Sequence, residues 1–234
     1  MKILFLGTGS GMPDPNRNSS AVLIEGVNGA LLIDAGEGVS SRLRQQGIWK
    51  QEISTIVLTH SHTDHVSGLM MLIQGWYLEE RQSPLQIFAP AFLLSGLSLW
   101  LDTVRLQPAK LPFRIDFQEL SGGKFNILSG HQLEAWENGH IASSEGGSYS
   151  LAVTDGGSRW VFSSDLVNLS SLASYLPGST GLVVESYHIE PEEAVKMAGA
   201  NGIKKVYLTH IPPECNCEPL AGAIWAEDNM LING

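Results

Sequence analysis

Residues 59–69 read THSHTDHVSGL and follow directly on the apolar run STIVL. Three of the seven histidines and one aspartate fall between His60 and His65. In a loop leaving a strand, side chains two positions apart converge on one point and the next pair faces elsewhere. His60 and His62 are thereby placed to share one cation, and Asp64 and His65 to face a neighbouring one. Neutral imidazole nitrogen and carboxylate oxygen are good Zn²⁺ ligands at about 2.0–2.2 Å. Imidazole is mostly neutral near pH 7, so binding asks for no costly deprotonation. A lone histidine is more often a surface or hydrogen-bonded residue, and a His-rich tract can be a scavenging patch. Three histidines beside an aspartate, at the mouth of a buried strand, favour a catalytic metal site over both.

Four residues of one loop cannot close two coordination shells, so distant parts of the chain must converge on it. The remaining ligands are expected at the ends of other apolar runs. His140 follows HQLEAWENG, and Asp165 ends RWVFSSD. His210 ends VYLTH, which repeats the VLTH of the first cluster. His131 and His188 have less support as ligands. The crowding at 60–65 is half of a two-metal cage.

That convergence needs a scaffold of strands. KILFLG, AVLIEG, ALLIDAG and STIVLTH read as strands, with GTGSGMPDPNRNSS a loop between the first two. VSSRLRQQG reads as a short helix with Ser40 or Ser41 near its start and Gly47 after its end. VSGLMMLIQGWYLEE is a helix by the spacing of Leu69, Leu72, Ile73 and Tyr77. FRIDFQEL, KFNIL, HQLEAWEN, SYSLAVTD and SRWVFSSD are β segments. GLVVESYH, PEEAVKMAGANG and KKVYLTH read strand, helix, strand, with Pro191 suited to a first turn and Gly202 to a helix end. No repeat, linker or low-complexity block divides the 234 residues, so the expectation is a single domain over 1–234. The order β-rich, helix, β-rich, β-α-β predicts an α/β fold of two face-to-face sheets with helices outside.

Residues 82–101 carry no charge. A membrane span needs about 20 predominantly apolar residues, and this stretch contains two prolines, two glutamines, three serines and a glycine. It reads as a strand, PLQIFAP, and a helix whose apolar surface is either core, the default, or a contact with a second subunit. The N-terminal MKILFLGTGSG has too short an apolar run for a signal peptide. Cys215 and Cys217 in CNC are the only cysteines. They read as reduced thiols, not a disulfide framework, and point to a cytoplasmic protein. A net charge of −10 and no basic run longer than Lys204-Lys205 leave no nucleic-acid footprint. Two bound cations would offset part of that charge at one spot, so an anionic small molecule stays compatible.

THSHTDHVSGL resembles the signature loop of the metallo-β-lactamase superfamily of hydrolases. GTGSGMP, DAGEG and RLRQQGI resemble, more narrowly, its ribonuclease Z branch and small phosphodiesterase relatives. The resemblance covers essentially the whole chain and implies a four-layer αβ/βα sandwich with a dinuclear site. It implies that His60, His62 and His140 hold one metal, that Asp64, His65 and His210 hold the other, and that Asp165 bridges them. Two Zn²⁺ are implied, with Mn²⁺ or Fe accepted by the same donor set. Asp34 in LLIDAGEG matches an aspartate that steadies the ligand loop from behind, although a turn-former after a strand fits that position too. HIEPEEA resembles a family pattern in which a histidine, His188, is paired with a glutamate ending the preceding strand, Glu185. Only Ser186 and Tyr187 separate the two, where relatives have a longer loop, and a plain helix-cap role fits His188 about as well.

The GTGSGMP loop lacks the Gly-Lys-Ser/Thr ending of a phosphate loop and leads into no helix. It reads as a close-packed turn near the site, from which Arg17 reaches a substrate phosphate. Ribonuclease Z carries a long Gly/Pro-rich basic arm between its third and fourth metal motifs. Only IASSEGGSYSLAVTDGGSRWVFSS stands between His140 and Asp165. Without that arm, binding to tRNA loses its main source of affinity. The expectation is a zinc phosphodiesterase of small diesters, with Asp64, His188 and Glu185 as catalytic groups and a homodimer by resemblance. The rivals are tRNA 3′ processing, a lactone or thioester hydrolase of the same superfamily, and a non-catalytic metal-binding protein. Seven candidate ligands argue against the last.

Overall fold

The computed structural model describes residues 1–49 and 53–234 and forms two seven-stranded mixed sheets. The first sheet is built from β1 (Lys2–Gly7), β2 (Ala21–Gly26), β3 (Gly29–Ile33), β4 (Ile53–Val57), β5 (Leu85–Ala89) and β6 (Ile115–Glu119). The second takes β7 (Gly123–Asn126), β8 (Gln132–Glu137), β9 (Tyr149–Asp155), β10 (Ser158–Phe162), β11 (Gly181–Glu185), β12 (Lys205–Thr209) and β13 (Ile224–Trp225). The last strand, β14 (Leu231–Asn233), returns to the first sheet and pairs antiparallel with β1. The sheet orders are β14-β1-β2-β3-β4-β5-β6 and β13-β12-β11-β10-β9-β8-β7. Each sheet is antiparallel at one side and parallel at the other, with β3 to β6 and β10 to β13 the parallel parts.

Alternation along the strands sorts side chains between layers. Ile33, Val57 and Phe88 face Leu151, Phe162 and Val183 in the apolar layer between the sheets. Their neighbours Leu32, Ile56 and Ile87 pack with residues of α1 (Val39–Gln45), α3 (Leu69–Leu78) and α4 (Ala91–Thr103). On the other side Leu182, Val184 and Leu208 pack with Ala194 and Ala198 of α5 (Pro191–Ala200). The result is the four-layer αβ/βα sandwich expected from the sequence. The third helix buries Leu69, Leu72, Ile73 and Trp76, while Tyr77 is exposed. Position 77 lies about 80° around the helix from 69, and position 76 about 20°, so Trp76 occupies the place expected of Tyr77.

Helix α4, whose one charged residue is Asp102, turns Leu93, Leu97 and Leu101 into the core and leaves Phe92 and Leu99 exposed. Among the described residues no helix is long and apolar enough to cross a membrane. Both cysteines are free thiols. His131 is buried between Ser129, whose Oγ lies 2.9 Å from Nδ1, and the Glu25 carbonyl, 3.1 Å from Nε2. It cross-links the sheets and takes no part in the cluster described next.

Candidate metal centre

The parallel strands β4, β11 and β12, together with β10, end at the same edge of the sandwich, and the candidate residues sit just beyond those ends. The chain leaves β4 through Leu58-Thr59-His60 and coils at once into one helical turn, α2 (Thr63–Val66). That turn brings Asp64 and His65 around to face the side opposite His62. Asp165 follows β10, His210 follows β12, and His140 follows β8. Two backbone positions are left-handed at these exits, Ser164 at φ 52° and His210 at φ 54°. Such sparsely populated geometry persists where surrounding structure over-determines it.

The seven predicted ligands come together as two groups that share Asp165. The first comprises His60, His62, His140 and Asp165; the second comprises Asp64, His65, His210 and Asp165. His62 Nδ1 is 3.2 Å from His140 Nε2, and Asp165 Oδ2 is 3.6 Å from both His60 Nε2 and His140 Nε2. On the other side His65 Nε2 is 3.3 Å from Asp64 Oδ2 and 3.3 Å from Asp165 Oδ1. His210 Nε2 is 3.5 Å from Asp165 Oδ2 and 4.0 Å from Asp64 Oδ2. Atoms each about 2.0–2.2 Å from one tetrahedral centre stand about 3.3–3.6 Å apart, so these spacings suit metal ligation.

The buried polar atoms make the same point. Among the described residues, His60 Nε2, His65 Nε2 and Asp165 Oδ1 are buried without a hydrogen-bond partner. Orphaned buried polar atoms cost free energy, and these three point into one cluster. The other ring nitrogens are engaged. Asp34 Oδ2 accepts from His65 Nδ1 at 2.7 Å, and Thr59 Oγ1 stands 3.0 Å from His60 Nδ1. Ser20 Oγ lies 3.1 Å from His210 Nδ1. These partners fix each tautomer with Nε2 toward the cluster.

Asp34 does more than hold one imidazole. Its Oδ1 accepts from the Thr59 backbone N–H at 2.8 Å, and the Thr59 hydroxyl is 3.0 Å from both carboxylate oxygens. Ser164 Oγ donates to Thr59 Oγ1 at 2.8 Å, which ties the Asp165 exit to the same network. Behind it the DAGEG loop is pressed against the ligand turn. The Ala35 N–H donates to His65 O at 2.7 Å, and a Cβ on Gly36 or Gly68 would sit 2.2 Å from a backbone oxygen. Only glycine permits that approach. Sequence reasoning missed Thr59, Ser164, Ser20 and Asn138, which accepts from the His140 N–H at 3.2 Å and is held by Ser148, Ser150 and Ser163.

Electrostatics divides the histidines. Burial holds the pKa of His60 well below the ordinary value, helped by the neighbouring His65, and pushes His210 down to about 4. His140 is lowered in the same way. Burial also opposes charge on His65, but Asp165 and Asp34 flank it and raise its pKa well above 6.5. For Asp165 burial is outweighed by His65, His210 and His60, so its carboxyl is held well below the usual range, and Asp64 is lowered by His65 and His210. Without metal, therefore, His65 is the buried imidazole whose charged form is favoured, held between Asp34 and Asp165. A metal at Nε2 displaces the proton there, so binding at pH 6.5 should release protons. Calorimetry in buffers of different ionisation enthalpy measures this; uptake with no proton release contradicts it.

Buried Glu185 holds the more exposed His188 beside the cluster. Glu185 Oε1 is 3.2 Å from His188 Nδ1, and Oε2 accepts from the backbone N–H of Tyr187 and His188, both at 2.8 Å. Burial raises the pKa of Glu185, and the His188 and Leu166 N–H groups oppose the rise. The His188 ring lies 4.8 Å from that of His140 and 5.8 Å from that of His210. Arg17 is placed differently from the other site residues. Its guanidinium donates to Thr8 Oγ1 at 2.7 Å and to the Ala226 carbonyl at 2.8 Å. Beside it Asp228 collects the Thr8 and Asn18 N–H groups and Arg42, locking the GTGSG loop to the C-terminal segment. Gly11 of that loop lies against Asp64, where a Cβ would be 3.5 Å from Oδ2.

The fold is the one shared by solved metallo-β-lactamase fold proteins. The human tRNase Z short form, ELAC1, superposes with a TM-score of 0.81 at 22% identity, covering 100% of this chain and 99% of that one. The metallo-β-lactamase fold protein YhfI from Bacillus subtilis gives 0.82 at 18% identity with the same coverage. In sequence, the ribonuclease Z of Streptococcus sanguinis (strain SK36) is 35% identical over 124 residues, 51% of this chain and 39% of the relative. The chain thus spans about two fifths of the length of that relative. Residues 1–188 match the family described as anti-Pycsar protein Apyc1, and the chain belongs to that family.

Proposed function

We propose that this chain is a dinuclear zinc hydrolase of small phosphodiesters. The observation that carries the reading is the position of Asp165. Its Oδ2 lies 3.5–3.6 Å from His60, His140 and His210, so one carboxylate faces both ligand groups. His60, His62 and His140 would hold one ion, Asp64, His65 and His210 the other, with Mn²⁺ or Fe as substitutes for Zn²⁺. Bound there, a metal pair supplies an activated water and neutralises charge on the phosphate oxygens.

The chain's own groups do the proton work. Water adds to phosphorus as the bond from phosphorus to the leaving oxygen breaks. Asp64, ionised and only partly covered, takes the proton that leaves the water. The leaving oxygen takes a proton from His188, whose Nδ1 is engaged by Glu185, so that Nε2 is the nitrogen free to donate. Arg17 enters as the first cation after the GTGSG turn in sequence. To meet a phosphate it must give up Thr8 and the Ala226 carbonyl.

The connection from His140 to Asp165 supports a small substrate. It holds one short 3₁₀ turn (Ser143–Glu145) and the β9–β10 hairpin, closed by Gly156-Gly157. A second reading, tRNA 3′ processing, is favoured by the 35% identity to a ribonuclease Z. A homodimer through the exposed Phe92 and Leu99 of α4 completes the proposal. The test is a hydrolysis panel on zinc-loaded protein: cyclic nucleotides, a chromogenic bis-phosphodiester, a lactone, a thioester and a precursor tRNA. Turnover of the small diesters is expected. Cleavage of precursor tRNA at catalytic concentration with weak diester activity favours the second reading, and turnover of the lactone or thioester alone overturns both.

A further inference from the structure

Tyr187 is the large side chain nearest in sequence to the proposed proton donor. It is 57% exposed, and its side chain makes no hydrogen bond among the described residues. Its ring meets that of His188 edge-on, centroids 4.8 Å apart at 86°, and lies 6.1 Å from that of His210. Its position is not loose. The carboxylate of Glu185 that engages the His188 ring also accepts the Tyr187 backbone N–H at 2.8 Å, so one buried group sets both residues. Two other exposed apolar side chains rise from loops that carry site residues. Met12 follows Gly11, which lies on Asp64; Val167 lies two residues after Asp165 and against Gly139, next to His140.

We infer that Tyr187 is the platform on which a flat aromatic leaving group of the phosphodiester stacks, with Met12 and Val167 as apolar flanks of the same mouth. The inference rests on the phosphodiesterase reading above. If His188 protonates the leaving oxygen, whatever that oxygen carries extends past His188, and Tyr187 is the next surface it meets. Aromatic pairs favour offset or edge-on contact at centroid distances of about 4.5–7 Å, and an exposed rigid ring has few rotamers to lose on binding. Charge narrows the choice. Glu190, Glu192 and Glu193 follow Tyr187 within six residues and are exposed at the start of α5. They repel a leaving group that carries further phosphates and leave a neutral ring unopposed.

The test compares two diesters on zinc-loaded protein. One is methyl p-nitrophenyl phosphate, with an aryl leaving group. The other is O-methyl S-ethyl phosphorothiolate, which releases an alkyl thiol. The wild-type preference in kcat/KM for the aryl substrate should fall about 5- to 50-fold in Tyr187→Ala, the size of one aromatic stack. Most of that fall should sit in KM, and Tyr187→Phe should restore it. Calorimetric titration with phenylphosphonate and methylphosphonate provides a readout without turnover. The phenyl compound should bind tighter to wild type and to Tyr187→Phe, and no tighter to Tyr187→Ala. An unchanged aryl preference in both measurements, or equal losses on both substrates, overturns the platform. Should wild type hydrolyse no diester at all, the phosphodiesterase reading fails, and the phosphonate titrations still decide whether Tyr187 binds a ring.

Discussion

Asp64→Ala should lower turnover of a chromogenic phosphodiester by at least about 10³-fold and leave the fold standing. The carboxylate lies 3.3 Å from His65 Nε2 and 4.0 Å from His210 Nε2, so it belongs to one ligand group while remaining partly open to solvent. In the proposed reaction it also takes the proton from the attacking water. A positioned acid or base is worth about 10²–10⁴-fold by itself, and the loss of a ligand adds to that. The structural cost is small, because Asp64 lies on a one-turn helix and its side chain stays partly open to solvent. The metal-free variant should melt within about 4 °C of metal-free wild type, as a change of about 1 kcal/mol implies for a chain of this size. Near-wild-type rates would remove the proposed role, and loss of the cooperative melt would make the residue structural.

Asp34→Ala should do the reverse, striking stability first. Asp34 is buried and left-handed, with φ 58°. Its two oxygens are near the Thr59 N–H, the Thr59 hydroxyl and His65 Nδ1, so its removal orphans three buried donors at once. Breaking a buried charged pair costs about 3–5 kcal/mol, which for this size is a fall in Tm of roughly 6–20 °C. His65 also loses the partner that sets its tautomer, and such losses cost about 10–100-fold in metal affinity. Thermal melts and a competitive zinc titration read the two effects separately. A variant with unchanged Tm and zinc affinity would contradict the role assigned to this network.

These expectations rest on residues of unequal visibility. The cluster at 60–65 was legible because three histidines after a buried run leave little else to explain them. His140, Asp165 and His210 were legible as polar residues ending apolar strands, where burial gains nothing from them. Thr59, Ser164, Ser20 and Asn138 were not. Small hydroxyl and amide side chains carry no periodicity, and what each bonds is decided by pairs as far apart as 190 positions. The one-turn helix at 63–66 and the two- and three-residue strands near the C-terminus are too short for any hydrophobic pattern to register. Asp228 gave no sign in sequence that it would lock the GTGSG turn from the opposite end of the chain. For α4, the apolar surface read from sequence divides into a buried side, Leu93, Leu97 and Leu101, and an exposed one, Phe92 and Leu99.

All of the proposed chemistry depends on strand ends far apart in the chain gripping a pair of cations. Elemental analysis of purified, zinc-supplemented and then desalted protein addresses that directly. Two zinc ions per chain are expected, with Asp165→Ala retaining fewer. No stoichiometric transition metal in the wild-type protein would contradict the account at its root.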